Sequence, residues 1–148
     1  MTVETSVPGL ISIGRPALQV ALAGDAAAAS LSIVVRRPTL RQAQRTRSLL
    51  RAGTRDTANF SVALEVEVAI APHPASARAS VVATESADTN EGGTVRYVGT
   101  PHGLITLIRD IYAAEVADAV IIVPIDGSAT EHRVRAEVLP QFRIRSAA

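Results

Sequence analysis

The cleanest hydrophobic pattern in the chain is a strict alternation from 59 to 71. Phe60, Val62, Leu64, Val66, Val68 and Ile70 fall on one side, and Ser61, Ala63, Glu65, Glu67 and Ala69 on the other. That period of two predicts a strand with one buried face, ended by Pro72-His73-Pro74. A shorter alternation over 16–23 puts Leu18, Val20 and Leu22 opposite Ala17, Gln19 and Ala21, and Gly24 closes it. Two further strands are expected at 31–35 and 118–124. Within the second, the run from Ala119 to Val123 is β-branched and apolar on both sides, as a strand covered on both faces should be.

Helical periods fall between these strands. Over 39–52, Leu40, Ala43 and Leu50 share one face, Arg41, Arg45, Arg51 and Arg55 cluster opposite, and Gly53 is the stop. Thr100 is placed to N-cap a helix with Pro101 at its first position, and Leu104, Leu107, Ile108, Ile111 and Ala114 line its apolar face. Ser128 and Glu131 have capping-box spacing for a last helix stopping at Pro140. The alanine-rich segment 25–29 predicts one turn of helix, and 75–85 a further helix. The run DTNEGGT at 88–94 marks a mobile loop over about 86–94. Residues 1–13 lack a period and read as an N-terminal arm ahead of one domain over 14–148. Strands separated by helices imply right-handed parallel crossovers and an α/β fold, here with the four strands in sequence order.

Composition narrows the classes of partner. Net charge is only +1 and aromatic residues make up 3%, a poor basis for gripping phosphates or stacking on bases, so nucleic acid is not an expected partner. All fifteen basic residues are arginine. With no cysteine there is neither a disulfide nor a thiolate metal site, and no apolar run is long enough to span a bilayer. A soluble, cytoplasmic protein without a membrane partner is expected.

Chemistry enters through a resemblance. Val98-Gly99-Thr100-Pro101, Val116-Ala117-Asp118-Ala119, Val123-Pro124 and Glu137-Val138-Leu139-Pro140 resemble the closing motifs of the luciferase-like flavin-dependent oxidoreductases and monooxygenases. Gly14-Arg15-Pro16, the QVALAG run and RRPTLRQAQ are similar to segments further upstream in that family. The similarity spans about 14–143. It implies the C-terminal half of a (β/α)8 TIM-like barrel, with the half that usually holds the flavin ring absent from this chain. It implies FMN or a deazaflavin as cofactor, and a phosphate cradle after the first strand, at Gly24, Asp25 and Ser30. Asp25 stands where many relatives carry serine, and a carboxylate there repels phosphate unless it points away. Two functions follow: a flavin-dependent oxidoreductase or a subunit of one, or a truncated, non-catalytic half-barrel serving as a structural or partner subunit. Open sheet edges imply an oligomer, a homodimer or a pairing with a separate N-terminal half-barrel.

The residues themselves offer few catalytic candidates. Glu65 and Glu67 share a strand face, with Gln19 a possible neighbour across it, and paired carboxylates suit acid–base work. The plainer reading is a wet or subunit-facing surface. His102 sits in the first turn of its helix near a strand end, while His73 and His132 lie far from it in sequence, with no metal-ligand spacing. No metal is expected. Arg47 falls inside the apolar face of its helix, where it must snorkel or meet a carboxylate such as Glu65.

Overall fold

A computed structural model describes residues 15–84 and 93–142. The expected arm at 1–13 and most of the loop at 86–94 lie outside these residues. The chain runs β1 (Gln19–Leu22), α1 (Ala26–Ala29), β2 (Ile33–Val35), α2 (Leu40–Ala52), β3 (Val62–Ile70), α3 (Pro74–Thr84), β4 (Val95–Gly99), α4 (Pro101–Ala113), β5 (Ala119–Pro124) and α5 (Ser128–Arg133). The result is an α/β fold on a five-stranded sheet whose pairings are all parallel.

The sheet order is β1-β5-β3-β2, with β4 also paired to β3. This corrects the expectation of sequence order: β5 stands between β1 and β3, and β1 and β2 lie at opposite edges. β2 pairs with Val62–Leu64 and β4 with Val66–Ile70, so those two short strands share one column along the longest strand. β4 has no counterpart in the sequence reading, because VRYVG lacks an alternation between buried and exposed positions.

Alternation decides the two faces. Leu22, Val62, Leu64, Val66, Val68, Ile70, Val120 and Ile122 pack with Ala43 of α2, with Leu104, Ile108 and Ile111 of α4, and with Val134 and Val138 beyond α5. The opposite face carries a small cluster, Leu31, Ala63, Ala119 and Ile121, with Ala28 against it. That placement follows from handedness. The steps from β2 to β3 and from β4 to β5 run one way across the sheet, whereas the steps from β1 to β2 and from β3 to β4 run the other way. Right-handed crossovers therefore send α1 over the opposite face.

Helix ends match the sequence where local chemistry sets them. The Thr39 hydroxyl accepts from the Gln42 amide, and Thr100 from the Gly103 amide. The reading of α5 is corrected: Gly127 is the N-cap, Ser128 makes no cap bond, and Glu131 turns to Arg135 instead. Beyond α5 the helical path runs through a π-helical turn at Val134–Val138 and a 3-10 turn at Leu139–Gln141, ending one residue past the expected stop at Pro140. The Tyr97 ring lies over two glycines. Its hydroxyl donates to the Thr100 carbonyl and accepts from the Thr100 amide. A Cβ on Gly99 would sit 2.5 Å from the Tyr97 hydroxyl, and one on Gly103 closer still. Gly103→Ala should therefore destabilise by about 1–3 kcal/mol despite its better helix propensity. Urea unfolding of Gly103→Ala, Tyr97→Phe and the double variant checks this, because the double variant should recover part of the loss.

α4 ends in a Schellman reversal: the Val116 amide donates to Ile111 and the Glu115 amide to Tyr112. Glu115 occupies the left-handed position with φ 61°, where glycine usually sits. Glu115→Gly is expected to raise stability by about 1 kcal/mol, read as a higher urea midpoint.

Candidate functional site

In an open parallel sheet, the crevice that takes ligands lies beyond the strand C-termini, where neighbouring connections leave on opposite faces. Here that place is between the tips of β1 and β5. The Ala23 amide donates to Ile122 at 2.9 Å, so Gly24 and Asp25 stand beside the end of β5.

The charge at this crevice belongs to Arg135. Its Nη1 and Nη2 each lie 3.0 Å from an Asp25 carboxylate oxygen, in a two-point pairing, and Nη2 also reaches Glu131 at 3.2 Å. The hydrogen bond from Arg135 holds the Asp25 carboxyl below its ordinary range. A groove of about 460 Å³, bounded by Leu18, Leu22, Asp25, Arg135, Leu139 and Phe142, opens on one side. A smaller hollow of about 210 Å³ among Ser128, Glu131, His132 and Arg135 opens on another. Gly24, with φ +93°, has open space above its Cα.

As they stand, Gly24, Asp25 and Ser30 do not form an anion cradle. Ser30 is the C-cap of α1, a helix away from Gly24, and its hydroxyl donates to the Ala27 carbonyl at 2.7 Å. Among the described residues, the arginine lining this groove, Arg135, is already occupied by the Asp25 carboxylate.

Glu65 and Glu67 do share a face, but each has its own arginine. Arg36 Nε lies 3.0 Å from Glu65, and Arg96 Nη2 lies 3.2 Å from Glu67. Gln19 is not their neighbour, since β1 and β3 both align with Ala119 at Gln19 and Ala63. His73, His102 and His132 are all exposed. Among the described residues, no group of three or more metal-binding side chains converges, and no helix is long and apolar enough to cross a membrane.

Arg47 meets Asp118 and not Glu65. Its Nε lies 3.1 Å from both Asp118 oxygens and its Nη2 lies 2.9 Å from one. Arg15 approaches the same carboxylate at 2.8 Å, and the Val62 amide donates to it at 3.0 Å. Arg47 keeps 3% exposure and Asp118 none, so this arginine is buried and does not snorkel. The group closes the N-terminal end of the sheet, the end that carries stability in parallel β/α folds.

The sequence reading also missed Asp126, just past β5. Ser80 donates to its Oδ2 at 2.6 Å, while Oδ1 is buried without a partner among the described residues. Only the Glu131–Arg135 spacing of four was a usable signal, because the other pairings join residues distant in sequence. Compared with protein-family models and with curated proteins, the sequence matches none.

Proposed function

We propose that this chain is the C-terminal half-barrel subunit of a luciferase-like, flavin-dependent oxidoreductase or monooxygenase, using FMN or a deazaflavin in a cytoplasmic assembly. A partner, either a second copy or a separate N-terminal half-barrel, completes the ring. The observation that supports this reading is the cyclic order of the sheet. Taken as a ring with β4 set aside, because it shares the column of β2 beside β3, β1-β5-β3-β2 follows the barrel succession, opened between β1 and β2. Arg135 then stands at the strand tips, where such barrels keep their ligands.

A second reading is favoured by a different observation. Glu65, Glu67 and Asp25 are each tied to an arginine, which suits a structural or partner subunit that does no chemistry of its own. No step is therefore assigned to these carboxylates.

Titration with FMN, a deazaflavin and phosphate-free riboflavin separates the two. Under the first reading, Asp25→Ser removes the two-point partner of Arg135, leaving Glu131, and tightens FMN binding several-fold over the wild type, with riboflavin unchanged. If neither flavin quenches with the wild type or with Asp25→Ser, alone or with a co-purified partner, the structural reading stands and the first falls.

A further inference from the structure

We propose that β1 and residues 15–18 before it form an exchangeable arm. In a pair of chains, each arm leaves its own β5 and pairs with β5 of the second copy. This deepens the half-barrel reading by naming the partner as a second copy, and it rests on that reading for the closed ring.

The arm's anchors carry the argument. Arg15 binds Asp118 at 2.8 Å and the Ala117 carbonyl at 3.1 Å. The Tyr112 hydroxyl donates to the Pro16 carbonyl at 2.7 Å. Gln19–Leu22 align with β5, and Asp25 pairs with Arg135. All these partners lie on α4, on the residues leading into β5, on β5 or on the helical run after it, and β2, the next strand in sequence, is not among them. Each contact can therefore be remade unchanged by the arm of another copy, which is the condition for domain exchange.

The connection between arm and body is weakly held. α1 has four residues, none buried, and Asp25 makes no side-chain cap bond to it. It holds the opposite face of the sheet through Ala28 and Leu31 alone in that cluster. Gly24 keeps φ +93° at the turn, a conformation that exchange would release.

Closure supplies the driving force. In the single chain, the Gln19 and Ala23 amides face β5, so strand geometry turns those of Val20 and Leu22 to an open edge. β2 and β4 together form the other edge of the four-column sheet. After exchange, β1 fits between the second copy's β5 and its own β2. Four columns from each copy then make eight, the number that closes a parallel β/α barrel, and the β1 edge and the β2 part of the other edge are covered. The connection 23–32 would then join adjacent strands across the outer face, with the same hand as the other crossovers.

The chain has no cysteine, which makes the test direct. Asp25→Cys and Arg135→Cys are made in separate chains, mixed at micromolar concentration through mild denaturant and refolding, and treated with a short bis-maleimide. Exchange predicts a dimer by light scattering and a covalent heterodimer on a denaturing gel. The chain carrying both cysteines should cross-link between copies in its dimer fraction and within one copy in its monomer fraction. Gly24→Val, with helicity by circular dichroism confirming that it folds, should raise the dimer fraction several-fold. A monomer at all concentrations, or a dimer whose cross-links stay within one chain, overturns the proposal. Neither result bears on the flavin titration, so the two readings fail separately.

Discussion

Asp118→Ala is expected to destabilise the protein by about 3–5 kcal/mol, the cost of stranding a buried partner charge. The substitution leaves Arg47, 3% exposed, and the largely buried Arg15 facing each other without the carboxylate both now share. It also removes the acceptor for the Val62 amide at the start of the central strand. Against a total stability of about 5–15 kcal/mol for a domain of this size, that loss brings unfolding within reach at ordinary temperature. Asp118→Asn should come close to Asp118→Ala in urea unfolding, since the missing element is the charge. Arg47→Met should cost less, because Asp118 keeps Arg15 and the Val62 amide.

Acid should reveal the same group. Burial pushes the Asp118 pKa upward, but hydrogen bonds from Arg47, Arg15 and the Val62 amide outweigh it and leave the pKa below its ordinary value. A carboxyl with a depressed folded pKa adds stability that is fully present above its unfolded pKa, about 3.9. The contribution is lost as pH falls through the folded value. Wild-type stability should therefore drop below about pH 4 more steeply than that of Asp118→Asn.

The second large effect is Leu64→Ala, expected to cost about 2–5 kcal/mol. Leu64 has no exposure and sits on the central strand, facing the main core. Its neighbour Glu65 points to the other face and pairs with the exposed Arg36, so Glu65→Ala should change stability by less than about 1 kcal/mol. Equal losses from the two substitutions in matched urea titrations would mean that the assignment of the faces is wrong.

The elements set by local chemistry were legible in the sequence. The alternation from Phe60 to Ile70, the Thr100-Pro101 helix start and the Gly53 stop are local patterns; the two helix ends appear where their patterns put them, and the strand does from Val62 on, after a 3-10 turn at Thr57–Asn59. What escaped depends on contacts between distant residues. The position of β5 between β1 and β3 is decided by which edge β1 joins, and a four-residue strand carries no pattern for that choice. Asp118 read as one polar letter ahead of an apolar strand. Its value as the hub of Arg15, Arg47 and Val62 exists only after folding brings residues more than fifty positions apart together. Tertiary pairing likewise moved Arg47 away from Glu65 and took Asp25 out of a phosphate site by giving it Arg135.

The pairing of β1 with β5 underlies the crevice, the ring order and the exchange alike. Scalar coupling across the hydrogen bond from the Ala23 amide to the Ile122 carbonyl, measured by NMR on labelled protein, tests it most directly. That coupling should be present, together with contacts between Val20 and Val120. Its absence, with β1 paired to β2 alone in plain sequence order, would contradict the account.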